Sequence, residues 1–226
     1  MSESVSLDGP RHGPAAGGKP QSITVLLHGY GADGNDLISL APLWGRLLPH
    51  TLFLSPHAPF PCEIHPVGRQ WFGFEGATPD MILAGTRNAA ATIDAFVDAL
   101  LEEHELAADR LALAGFSQGA MMALYVAARR RDPVAGVLGF SGALIAPERL
   151  ATEAVSKPPI LLVHGDADPV VPFASLASAA AGLRKAGFEV ETEERPGLPH
   201  AIDQVGMARG GRFLAHVLGA PDETLS

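Results

Sequence analysis

Cysteine is nearly missing from this chain. Cys62 stands alone, so no intrachain disulfide can form, and a reducing compartment, the cytoplasm, is expected. Lysine is scarce as well, with only Lys19, Lys157 and Lys185. Asp and Glu number 25 against 16 Lys and Arg, a formal net charge of −9. A chain this acidic offers no basic face to nucleic-acid phosphates, so no nucleic-acid partner is expected. No apolar run approaches the roughly 18 residues of a membrane span, so no stable membrane insertion is expected either. The N-terminus lacks the basic-then-apolar order of a secretory signal. Cys62 has no cysteine near it and H-E-x-x-H does not occur, which leaves a metal site without ligands. G-K-[ST] is absent, which excludes a phosphate-binding P-loop. There is no internal repeat, no low-complexity block and no second domain.

What remains reads as an ordinary soluble protein. At 226 residues, 47% apolar and 18% charged, one domain with a full core is expected. Abundant Arg, Ala and Gly are associated with a GC-rich bacterial genome. Residues 1–21 are polar and rich in Gly and Pro, and are expected as a loose arm with a short edge strand near Ser4–Leu7. Apolar runs at 23–27, 52–54, 110–114, 134–140 and 160–163 suit strands buried on both faces. Helical spacing is expected over 36–48, 82–103, 118–131, 173–186 and 202–218. The first of these would be capped by Gly34 or Asn35. Residues 188–195 alternate apolar and charged positions, as an exposed edge strand does. Glu189, Glu191, Glu193 and Glu194 would resist edge pairing. Strands alternating with helices predict an α/β domain with a mostly parallel sheet and helices on both faces.

In such sheets, sites gather beyond the carboxyl ends of the strands. The polar residues His28, Ser117, Ser141, Asp168 and His200 all fall at such ends. The most informative stretch is Gly115-Phe116-Ser117-Gln118-Gly119, a G-x-S-x-G turn between a strand and a helix. A tight turn there lifts the Ser117 hydroxyl clear of the sheet, and side chains at 115 or 119 would collide with neighbouring chain. A serine hydroxyl is a poor nucleophile until a base takes its proton. Of the nine histidines, His200 lies in a loop between the last strand and the last helix. This position and the order Ser, Asp, His are those of the α/β-hydrolase fold, which makes His200 the expected base. His164 ends a buried strand and is expected to be packed, and His28 is expected as a loop strut. Asp166 and Asp168 compete to orient the base. Asp168 precedes the rigid Pro169-Val170-Val171-Pro172, which would hold it at the loop apex, whereas Asp166 is expected to bond its own turn. A carboxylate there fixes the imidazole tautomer and stabilises the imidazolium. Two preorganised N–H donors are needed for the oxyanion. The amides of Gln118, at a helix N-terminus, and of Tyr30, in the glycine-rich turn after the first strand, are the expected pair. The aromatic, proline-rich stretch from Ser55 to Thr78 is too long for a plain connection. Its Phe60, Trp71 and Phe72 are expected either as core or as the wall of a substrate pocket.

Taken together, these segments resemble the phospholipase/carboxylesterase family of α/β-hydrolases, relatives of the acyl-protein thioesterases. The resemblance rests on Leu27-His28-Gly29-Tyr30-Gly31-Ala32-Asp33-Gly34, Ser55-Pro56-His57-Ala58-Pro59, Gln70-Trp71-Phe72, Gly115 to Ala120, His164 to Pro172, and His200. They occur in the family's order between about residues 22 and 218. The resemblance implies a single α/β-hydrolase domain over 22–220, a C-terminal tail over 221–226, and a Ser117–Asp168–His200 triad. It also implies cofactor-free hydrolysis of carboxylic esters. Tyr30 stands where the eukaryotic thioesterases carry leucine, and the loop around Trp71 is similar to that of bacterial carboxylesterases. The expected substrate is therefore a small-molecule ester of short to medium acyl length. An acyl thioester or a lysophospholipid is the alternative, and a non-catalytic binding scaffold the remote one. A monomer or a homodimer is expected.

Overall fold

The apolar runs form the middle of one sheet. The computed structural model describes residues 7–220. In chain order the elements are β1 (Arg11–His12), β2 (Ser22–Leu27), α1 (Gly34–Leu37), α2 (Ala41–Leu47), β3 (Thr51–Leu54), β4 (Phe60–Pro61), β5 (Arg69–Gln70) and α3 (Pro79–His104). Then follow β6 (Leu111–Phe116), α4 (Gln118–Arg129), β7 (Gly136–Phe140), α5 (Leu150–Glu153), β8 (Ile160–Gly165), α6 (Ala174–Lys185), β9 (Val190–Arg195) and α7 (Gln204–Val217). Seven strands make the main sheet in the order β1-β3-β2-β6-β7-β8-β9. Every neighbouring pair is parallel except β1 with β3.

Alternation along the inner strands feeds two separate cores, because successive side chains point to opposite faces. Ile23, Val25, Leu111, Leu113 and Leu162 pack with Ile93 and Val97 of α3, Met122 of α4 and Leu183 of α6. Leu26, Ala112, Ala114, Leu138 and Leu161 pack on the other face with Trp44 of α2 and Phe213 and Leu214 of α7. Parallel strands covered on both faces have their carboxyl ends in one row, and the polar residues singled out above lie along it. Among the described residues, no helix is long and apolar enough to cross a membrane.

Three expectations change. The stretch 36–48 is not one helix: α1 ends at Leu37, a 3-10 turn spans Ile38–Leu40, and α2 begins at Ala41. Pro42 has no N–H for the helical ladder and is tolerated only in a first turn, so a new helix starts there. The cap is Asp33, whose carboxylate accepts the Asn35 N–H at 2.8 Å, rather than Gly34 or Asn35. The described part of the N-terminal arm is not loose. Arg11 and His12 pair with Leu54 and Phe53, and the Ser55 and His57 amides donate to Pro10 and Asp8 carbonyls at 3.0 and 2.7 Å. This covers backbone groups that β3 would otherwise expose as an edge. Ser4–Ser6 of the expected edge strand, and the tail 221–226, lie outside the described residues. Finally, the 55–78 stretch carries a small antiparallel hairpin, β4 with β5, Phe60 opposite Gln70. The far edge is β9, as expected from its glutamates.

Candidate active site

β6 and α4 are separated by one residue, Ser117, with φ 53° and ψ −118°. Positive φ is strained for a residue with a Cβ and persists only where the surroundings impose it. Here they do. A Cβ on Gly115 would lie 2.4 Å from the Gly119 carbonyl, and one on Gly119 would lie 1.8 Å from the Leu27 oxygen. Glycine at both positions lets α4 fold back against β6 and β2. The Ser117 amide donates to Phe140 O at 2.9 Å, which ties the turn to β7. β7 itself ends in a second strained residue, Ser141 at φ 48°.

Asp168 and His200 come together, 32 residues apart in sequence. His200 Nδ1 donates to Asp168 Oδ2 at 2.7 Å. The other carboxylate oxygen accepts the Val170 and Val171 amides at 2.8 and 2.9 Å. Burial alone would raise the Asp168 carboxyl, but the His200 bond and these two amides outweigh it and hold it below its usual range. It therefore carries a fixed negative charge against the imidazole. Asp166 behaves differently from expectation: its Oδ1 accepts the Gly197 amide at 2.6 Å, across the site. It is Asp168 that bonds its own turn. Asp166 instead anchors the loop that carries His200.

That loop is tied at both ends. Arg195, at the end of β9, grips both oxygens of Asp203 at 3.0 to 3.2 Å, and Asp203 caps α7 through the Gly206 amide at 2.7 Å. The Ala167 amide donates to Leu198 O at 3.2 Å. Phe116, next to Ser117, packs its ring on His200 with centroids 4.6 Å apart. Among the described residues, no hydrogen bond joins Ser117 Oγ to His200; contact between the two segments runs through Phe116. Such bonds commonly tighten only once substrate is bound.

The glycine-rich turn after β2 lies against the nucleophile turn. A Cβ on Gly29 would meet the Phe116 ring at 3.2 Å and Ser117 Cβ at 3.4 Å. Among the described residues, the amides of Tyr30 and Gln118 bond no other protein group. His28 is a strut, as expected. Its Nδ1–H donates to Gly29 O at 2.8 Å and its Nε2 accepts the Ala58 amide at 3.0 Å. Burial drives its pKa down to about 4 and keeps it neutral. The Tyr30 hydroxyl donates to Glu63 Oε2 at 2.8 Å, which links this turn to the β4–β5 hairpin.

Of the expected pocket wall, Trp71 and Phe72 are fully buried in the main core, while Phe60 is exposed on β4. Trp71 is a strut: its Nε1–H donates to His28 O at 2.9 Å. A cleft beside His200 lies elsewhere. It holds about 310 Å³ and is bordered by His200, Phe116, Leu37, Leu40, Ile202 and Asp36. α1 and the 3-10 turn after it supply three of these six, and nothing in their sequence marks them as pocket-forming.

Two side-chain roles escaped the sequence reading. The Gln118 side chain accepts the Trp71 amide at 2.9 Å and donates to Phe72 O at 2.7 Å, pinning the aromatic segment to the nucleophile turn. His164 sits 3.3 Å from Asp168. Its adjacency to the H-G-D-A-D turn was the only available signal. Among the described residues, no group of three or more His, Cys, Asp or Glu side chains is arranged to hold a metal ion.

Comparison with known proteins agrees with this architecture. Residues 15–218 match the model of the family described as phospholipase/carboxylesterase. Esterase YpfH of Escherichia coli is 30% identical over 194 residues, 83% of this chain and 79% of its own. Acyl-protein thioesterase 1 of Neurospora crassa is 28% identical over 201 residues, 80% of each. The crystal structure of esterase PE8 superposes with a TM-score of 0.89 at 41% identity, covering 95% of this chain and all of that one. A family match that runs from before β2 to the end of α7 covers nearly every described element, and the chain belongs to the phospholipase/carboxylesterase family as a carboxylic ester hydrolase of α/β-hydrolase fold.

Proposed function

We propose that Ser117 is the nucleophile, His200 the base and Asp168 the orienting acid, and that the amides of Tyr30 and Gln118 bind the oxyanion. The observation that carries this reading is the 2.7 Å bond from His200 Nδ1 to Asp168, beside a strained serine at a strand–helix turn. Ser117 Oγ attacks the ester carbonyl while His200 Nε2 takes its proton. The tetrahedral oxyanion meets the two amides, and the positive end of α4 adds to the field. His200 then gives its proton to the departing alcohol, leaving an acyl group on Ser117. Water, deprotonated by His200, attacks that acyl group, releases the acid and restores the serine.

Short to medium acyl esters are the proposed substrates. A cleft of about 310 Å³ lies at the small end of the range for ligand pockets, about 300–1,000 Å³, which supports this choice. Acyl thioesters or lysophospholipids are the second reading, favoured by likeness to a protein named acyl-protein thioesterase. Turnover of esters and thioesters of increasing acyl length separates the two.

Ser117→Ala should lower turnover of a nitrophenyl ester by about 10⁴-fold or more, with unchanged melting. Asp168→Asn should cost about 10⁴-fold, and Asp166→Asn far less. Parent-level activity in Ser117→Ala, or the reverse ranking of the two aspartates, defeats the assignment. Failure of a fluorophosphonate probe to label Ser117 would favour a binding scaffold instead.

A further inference from the structure

Asp168 has one more neighbour than a triad acid requires. Its carboxylate is wholly buried, and so is the imidazole of His164, at the end of β8. His164 Nε2 lies 3.0 Å from the Val171 carbonyl and 3.3 Å from Asp168 Oδ2, the same oxygen that receives His200. A carbonyl can only accept, so Nε2 carries a hydrogen. That hydrogen is directed at the carbonyl, and the ring edge lies beside the carboxylate without a hydrogen bond to it. The ring is fixed from its other sides by apolar groups. Phe173 packs against it edge-on with centroids 6.1 Å apart, and Leu162, Leu176 and Ala179 share with it a void of about 10 Å³.

We propose that His164 is a positioning residue: through Nε2–H it holds the Val171 carbonyl, and with it the turn whose amides keep the Asp168 carboxylate oriented towards His200. This rests on the triad reading above. An ionised carboxylate offers about four lone-pair sites. Val170 N–H and Val171 N–H supply two donors to Oδ1 and His200 Nδ1–H one to Oδ2, with His164 Nε2 3.3 Å from that second oxygen. The two amides hold Oδ1 only while the turn from Asp168 to Val171 keeps its shape. His164 is rooted in β8, so its hold on the Val171 carbonyl does not depend on the His200 loop. One imidazole thus braces the turn that carries the carboxylate, without touching substrate.

The test compares three substitutions by kinetics on a nitrophenyl ester, with melting curves beside them. His164→Leu removes the donor. His164→Gln places an amide N–H where Nε2 was, and His164→Asn places one a bond short of it. We expect kcat to fall about 10²-fold in His164→Leu and His164→Asn, the scale of a misplaced catalytic group. KM should stay unchanged, and His164→Gln should recover most of the loss. Parent-like kcat in His164→Leu, or equal impairment of all three, overturns the proposal. Should the variants fail to fold, the parent protein decides: imidazole ¹H–¹⁵N spectra must show His164 as the Nε2–H tautomer, and an Nδ1–H tautomer overturns it. Ser117→Ala and His200→Ala are run alongside. Activity surviving in those two condemns the triad itself. Activity lost in those two but kept in His164→Leu condemns only the brace.

Discussion

The turn at Ser117 and the segment from 55 to 78 lie side by side, yet they are held in different proportions by backbone and by side chains. At the turn, backbone packs on backbone. The Gly119 position tolerates no side chain, with the Leu27 oxygen 1.8 Å from where a Cβ would sit. The 55–78 segment has one such approach, Gly68 on Gly31, and backbone bonds between Arg69 and the Gly31–Ala32 turn, but side chains add most of its other holds. Glu63 gathers the Tyr30 hydroxyl and the Phe74 and Glu75 amides, and Gln118 grips the chain at Trp71 and Phe72. Its outer face still exposes Phe60, Ile64 and Val67. Steric constraint fixes the turn that carries Ser117, the proposed nucleophile, and the tethered segment lies beside it.

Substitutions in the two regions should therefore differ in kind. The largest effect is expected at Gly119→Ala. Overpacking of this sort costs about 3 kcal/mol or more, so both melting temperature and ester turnover should collapse together. A variant that melts with the parent would mean the turn can relax, and the contrast would fail. Next is Gln118→Ala, which strands the buried Trp71 N–H and Phe72 C=O. Loss of about 3 kcal/mol is expected in urea unfolding, with fluorophosphonate labelling of Ser117 retained. Loss of labelling at retained stability would show that the segment shapes the nucleophile as well.

A pH effect follows at His28, the strut between the two regions. Its folded pKa is lowered to about 4, so the unfolded chain binds more protons between about 4 and 6.5. Stability is full above pH 6.5 and is lost as pH falls towards 4. The loss amounts to about 2 kcal/mol by pH 5. His28→Gln keeps an acceptor for the Ala58 amide and should flatten this part of the pH profile. An unchanged slope between pH 7 and 5 would assign the effect to another group. The smallest effect is expected at Glu63→Ala. Hydrogen exchange at Phe74 and Glu75 should quicken while global unfolding stays put. Slow exchange there would mean the segment is held by its apolar contacts, not by Glu63.

The same division explains what could be read without coordinates. Residues Ile23 to Leu27 and Ile160 to Val163 are continuous apolar runs, so their burial in a parallel sheet was legible. The turn at Ser117 was legible because glycines at 115 and 119 answer a local steric demand. His200 and Asp168 were legible from their order after successive strands. The break at Pro42 was also written in the chain, and was missed because helical spacing alone continues through it. By contrast, Trp71 and Phe72 look the same in sequence whether they line a pocket or fill a core. Only the neighbours decide, and here those are His28 and Gln118. The arm from 7 to 21 has little apolar content of its own. It is ordered by the unpaired edge of β3, a partner some forty residues on.

The sequence by itself determined the fold class, the family, the tight turn at Ser117 and the expectation of ester chemistry, because strand runs, paired glycines and chain order are local or sequential properties. Tertiary structure alone decided that Asp166 anchors the His200 loop, that Trp71 and Phe72 fill the core, and that a cleft lies beside His200 and α1. It alone set a second imidazole against Asp168. These depend on distances between segments tens of residues apart, fixed by sheet register and packing, and no local pattern carries them.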